Sequence, residues 1–113
     1  MDRFFALTKY VRISPRKARL AAGLIRGLTV PEARLQLAAS GLKGGRLLKK
    51  TLESAVANAE LLGDTSADRL YVTEVRVDEG PRLKRGKPRS KGSSHPFLKR
   101  MSHFMIVVGK GKE

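Results

Sequence analysis

The chain has no cysteine, which excludes disulfides, a thiolate metal site and a cysteine nucleophile, and removes any need for an oxidising compartment. No apolar run approaches the roughly 18 residues of a membrane span. The opening stretch, MDRFFALTKY, is too short and too interrupted for a signal peptide, so a cytoplasmic protein is expected, without membrane contact. There are only two histidines, His95 and His103. No serine, cysteine or paired carboxylate stands at a spacing that would build a nucleophile or a metal site, and no glycine-rich phosphate loop joins a strand to a helix. Neither an enzyme, a cofactor, a metal nor a small-molecule substrate is expected.

Acid is scarce too. The 113 residues carry 24 Lys plus Arg against 10 Asp plus Glu, a formal net charge of +14, which makes nucleic acid the default partner. The scarcity is absolute from Gly80 to Lys112. Eight cations fall between Gly80 and Arg100, and Lys110 and Lys112 follow, with no carboxylate among them. The stretch Gly80 to Arg100 (GPRLKRGKPRSKGSSHPFLKR) has Leu83, Phe97 and Leu98 as its only large apolar residues. It cannot bury enough surface to fold alone, so a polyanion must order it.

The remainder reads as one domain, residues 1–113, with one modest core. Phe4 to Ile13 alternates imperfectly, placing Phe5, Leu7, Val11 and Ile13 on one side of a half-buried strand. Ser14-Pro15 opens a helix expected to run to about Arg26, with Gly27 as its stop. Arg16, Lys17 and Arg19 then put three cations near its start, where the helix dipole favours anions by roughly 0.3–1 kcal/mol each. Arg16, Arg19, Gly23 and Arg26 form one stripe at 100° per residue. A solvated face is the ordinary reading of such a stripe, but cations set against the dipole beside free backbone N–H groups favour a phosphate site.

Thr29 and Glu32 fit a capping box for a second helix. The pair Gly44-Gly45 is expected to precede the longest helix, Arg46 to Leu62, on whose outer face Asn58 should lie. Leu70 to Val77 and Met101 to Val108 have strand composition. Neither alternates regularly, which implies cover on part of both faces. Asp78 and Glu79 are expected to anchor nearby cations rather than to form a catalytic pair. The expected fold is α+β: a small three-stranded antiparallel sheet with three helices on one face, and residues 80–100 as a long protruding basic β-hairpin. Arms of about nine residues at roughly 3.3 Å each would project about 30 Å.

The segments YVRISPRKARLAAGLIRG (Tyr10 to Gly27), LESAVANAE (Leu52 to Glu60), VDEGPRLKRGKPRSKG (Val77 to Gly92) and LKRMSH (Leu98 to His103) together resemble the bacterial large-ribosomal-subunit protein twenty-two family, in the family's order and over nearly the whole chain. The resemblance implies a structural protein that binds and organises large-subunit (23S-type) rRNA beside neighbouring ribosomal proteins, with a hairpin that lines the nascent-peptide exit tunnel. On that resemblance, rRNA contacts are expected from Arg12, Arg16, Lys17, Arg19 and Arg26, from Lys84, Arg85, Lys87, Arg89 and Lys91, and from Lys99, Arg100 and His103. A tunnel-lining tip facing the nascent polypeptide is expected at Pro88, Arg89, Ser90, Lys91, Gly92, Ser93 and Ser94. Gly86, Ser93-Ser94-His95-Pro96 and Met101 depart from the family pattern, which implies a looser or differently bent tip. The short ends match the bacterial or organellar form. From residues alone, the other reading is a DNA-architectural protein with a basic β-arm, although such arms carry an apolar wedge at the tip and this one has none.

Overall fold

The structure, a computed structural model, describes residues 3–63, 65–80, 83–85, 97–99 and 101–110. Strand β1 (Arg3–Val11) is followed by helices α1 (Pro15–Ala22), α2 (Val30–Ala39) and α3 (Lys43–Gly63), a 3₁₀ turn (Ala67–Arg69), β2 (Tyr71–Glu79), the short strands β3 (Leu83–Arg85) and β4 (Phe97–Lys99), and β5 (Ser102–Gly109). The antiparallel sheet has the order β1-β5-β2, so the last strand lies between the other two. Its central place suits its composition. Phe104, Ile106 and Val108 are wholly buried and point at the helices, while Val107 is nearly buried on the other face. Helix α3 lies against β1 and β5, and α1 against β2. This is the expected α+β arrangement of three strands and three helices.

The buried face of β1 is not the expected one. Phe4 and Ala6 are buried, whereas Phe5 and Leu7 are 57% and 50% exposed. The pairing runs Thr8↔Phe104 and then Val11↔Ser102, so β1 carries one extra residue there. Tyr10 takes φ 60° at that bulge. An inserted residue reverses side-chain parity, which returns Val11 and Ile13 towards the core and leaves Phe5 and Leu7 outside. The irregular pattern of β2 has the same cause. One extra residue between Val72 and Glu74 shifts the register, and Val72, Val75 and Val77 all face inward. Double cover is therefore not the explanation for β2. It holds in part for β5, where His103 and Met105 are half-buried.

The starts of α1 and α2 follow local chemistry closely. The Ser14 side chain accepts from Lys17 N–H, and Thr29 and Glu32 form both bonds of the capping box. The ends are set by packing. Helix α1 stops at Ala22 rather than Arg26, because the chain tightens into Leu24 N–H to Ala21 O and Ile25 N–H to Ala22 O bonds. That turn drives Ile25 fully into the core. Gly27, at φ 80°, then reverses the chain towards β2.

Helix α3 begins at Lys43, three residues before the expected Arg46, with Gly44 and Gly45 buried inside it. A β-carbon on Gly44 would lie 3.3 Å from the Ala18 Cα and 3.3 Å from the Ala21 Cβ. The glycine is there to let α1 and α3 touch, and that contact outweighs its poor helix propensity. Gly44→Val should therefore destabilise the fold by about 1–3 kcal/mol through overpacking. A lowered urea midpoint at unchanged slope would show it, and an unchanged midpoint would mean the two helices separate freely.

Candidate nucleic-acid interface

The arm leaves the sheet as a continuation of β2 and returns as β5. Glu79 pairs with Ser102, Gly80 N–H donates to Met101 O at 2.8 Å, and beyond it Leu83, Lys84 and Arg85 pair with Lys99, Leu98 and Phe97. Lys84, Arg85 and Lys99 thus lie on a two-stranded ladder separate from the core sheet. Lys87, Pro88, Arg89, Ser90, Lys91, Gly92, Ser93, Ser94 and Arg100 lie outside the described residues.

The root of this ladder is tied to the corner between β1 and α1. Ser102 is fully buried and its hydroxyl donates to Ile13 O at 2.8 Å. Tyr10 N–H donates to His103 Nδ1 at 3.1 Å, and the two rings meet edge to face with centroids 5.0 Å apart. An accepting Nδ1 places the proton of the neutral imidazole on Nε2. His103 therefore has an intramolecular task, since its bond holds a tyrosine in the left-handed conformation that the β1 bulge requires. Arg12, exposed, follows directly.

Along α1 and the turn that follows it, the basic residues divide into two pairs. Arg16 and Lys17 are exposed, and their side chains make no ion pair or hydrogen bond among the described residues. Arg19 donates through Nε and Nη2 to Val77 O, at 3.3 and 3.1 Å, and Arg26 through Nη2 to Val75 O at 2.9 Å. Those carbonyls belong to the outer edge of β2. Backbone groups bond the start of that edge: Gly27 N–H to Val72 O at 2.9 Å, Val72 N–H to Leu28 O at 2.8 Å, and Val30 N–H to Leu70 O at 2.9 Å. A guanidinium has five N–H donors, so Arg19 and Arg26 keep donors for a phosphate while they seal the strand.

Several cations not singled out in the sequence join this surface. The first turn of α3 packs on Ala18 and Ala21, which brings exposed Lys43 and Arg46 beside α1. Neither helix has an acid in its first turn. At the far end of the sheet, a cleft of about 530 Å³ is lined by Thr65, Ser66, Arg69 and Lys110, hydroxyls and cations suited to phosphate oxygens. Lys110 is remote in sequence from the other three, so only the fold brings it to them. Asp78, by contrast, pairs with Arg76 at 3.3 Å, and Asn58 at the margin of α3 donates to Phe5 O at 2.9 Å.

Residues 6–109 match the model of the family described as ribosomal protein L22p/L17e. The chain belongs to the ribosomal protein L22p/L17e family. It is 67% identical over 103 residues to the large ribosomal subunit protein uL22 of Protochlamydia amoebophila, covering 91% of this chain and 93% of that protein. It is 57% identical over 107 residues to uL22 of Chlamydia pneumoniae and 56% identical over 107 residues to uL22 of Chlamydia abortus, each match covering 95% of this chain and 96% of the relative. Membership of the L22p/L17e family makes the protein a structural, non-enzymatic component of the ribosome, in keeping with a basic surface spread over two helices and a hairpin root rather than converging on one pocket.

Proposed function

We propose that the protein is a structural constituent of the large ribosomal subunit in the cytoplasm. It binds and organises 23S-type rRNA through the α1 and α3 cations, Arg12 and the basic arm, and its arm lines the nascent-peptide exit tunnel at Pro88 to Ser94. The observation that carries this reading is the ladder Leu83–Arg85 against Phe97–Lys99, which continues β2 and β5 into the segment that has ten cations and no acid between Gly80 and Lys112. Buried Ser102, bonded to Ile13, and His103, bonded to Tyr10, hold the start of β5 beside the corner between β1 and α1, which supports this reading. Ribosomal proteins beside the core and the nascent polypeptide beside the tip complete the set of partners.

Large subunits carrying Ser93→Cys labelled with a short photoactivatable cross-linker provide the test. In ribosomes holding a stalled nascent chain, the label should couple to both the 23S-type rRNA and the chain. Coupling to rRNA alone would remove the tip from the tunnel. A protein that fails to sediment with large subunits in moderate salt would remove the subunit role itself.

A further inference from the structure

The two edges of the sheet are treated differently. On β2, the carbonyls of Val75 and Val77 point outward, because Arg26 and Arg19 bind them there. In an antiparallel strand the N–H and C=O of one residue point to the same side, and successive residues alternate. Arg76 therefore faces β5 and pairs with Met105, Ile106 faces β1 and pairs with Ala6, and Phe5 and Leu7 turn their backbone groups away from the sheet. The bond from Asn58 to Phe5 O agrees. Beyond it, the outward N–H groups of Phe5 and Leu7 and the outward C=O of Leu7 have no partner among the described residues.

With the N–H groups of Phe5 and Leu7 and the Leu7 carbonyl unbonded among the described residues, the β1 edge offers a strand template. The open edge also has an apolar setting. Phe5 and Leu7 are half or more exposed, and Leu61 and Leu62 at the end of α3 are 83% and 78% exposed. A groove of about 580 Å³ lies at this edge, its lining including Arg3, Phe5, Leu7, Ser54, Asn58 and Leu62. Exposed cations bracket the stretch, Arg3 before it and Lys9 after it.

We propose that the β1 edge is a docking site for an extended segment of another protein, which adds a strand to the sheet and carries the alternation acid, apolar, apolar, acid at every second residue. The apolar pair covers Phe5 and Leu7, the acids meet Arg3 and Lys9, and the added backbone pairs with Phe5 and Leu7. Charge selects this occupant. A second copy of the chain would bring another +14, and antiparallel pairing about Ala6 would set Arg3 opposite Lys9, a repulsive cross-strand pair. A phosphate backbone has no donor for the Leu7 carbonyl and no use for an apolar groove. The surface is thus separate from the rRNA-binding face, and it holds whether or not the arm reaches the tunnel.

The test uses the full chain and a blocked synthetic peptide, Asp-Thr-Val-Thr-Val-Thr-Asp, with Lys-Thr-Val-Thr-Val-Thr-Lys as its counterpart. Amide NMR should show the acidic peptide shifting and protecting the Phe5 and Leu7 N–H groups, and the lysine peptide binding about tenfold more weakly or worse. Leu7→Pro removes an outward N–H that carries no ladder bond, so it should abolish binding while leaving the unfolding midpoint close to the parent's. The double variant Arg3→Glu with Lys9→Glu should invert the preference between the two peptides, and it stands as evidence even where the proline variant folds poorly. Absence of any effect on those amides, or a preference that does not invert, overturns the proposal. So does self-association that Leu7→Pro abolishes, which would assign the edge to a second copy, or protection of the same amides by an RNA oligonucleotide.

Discussion

Raising the salt from about 50 to 200 mM should weaken binding of this protein to large-subunit rRNA by about 10³–10⁵-fold, the response of roughly six to ten neutralised phosphates. The net charge of +14 makes counterion release the main source of affinity, and the structure divides the α1 cations by task. Arg16 and Lys17 are exposed at a helix start without acids. Replacing both with Gln should flatten the slope of log affinity against log salt by about one to two units, and stability should stay level or rise, because those cations oppose the helix dipole by roughly 0.3–1 kcal/mol each. Arg19 and Arg26 hold the β2 edge. Replacing them with Gln should cost about 0.5–1.5 kcal/mol each and leave a strand edge open to pairing. Salt-dependent filter binding and urea unfolding read the two effects separately. An unchanged slope for the first pair would remove α1 from the RNA interface. Full stability in the second pair would show that their bonds to Val77 and Val75 hold nothing.

Deleting Leu83-Lys84-Arg85 should leave the protein able to enter the subunit while changing the shape of the exit tunnel and the response to macrolide-type drugs. The deletion removes all of β3, the outbound half of the ladder against Phe97–Lys99. It removes no residue of the core that buries Phe104, Ile106 and Val108, so anchoring through the domain survives. Three residues are an odd number, and an odd shift sends every side chain beyond the cut to the opposite face of the ribbon. With the expected arm of about 30 Å, a small angular change at the root would displace the tip by several ångströms. Ribosomes rebuilt with the deletion would be compared with the parent by tunnel structure and drug sensitivity. Incorporation with both unchanged would mean that the arm does not line the passage.

The features legible in the sequence are those whose causes act within a few residues. Ser14-Pro15 and the Thr29–Glu32 capping box mark helix starts because side chain and backbone N–H are three positions apart. The helical and strand composition of the other segments gave the α+β class. The tertiary structure decided what depends on distant partners. Arg19 meets Val77 across 58 positions and Tyr10 meets His103 across 93, so a stripe read as a phosphate site also holds β2 carbonyls, and His103, expected to bind RNA, also holds Tyr10 in its left-handed conformation. The same holds for the buried face of β1 and the start of α3. A bulge reverses parity without altering the local alternation that sequence shows, and Gly44 belongs inside a helix only because α1 lies 3.3 Å from where its β-carbon would be. Local preferences of about 1 kcal/mol or less give way where close packing between elements supplies more.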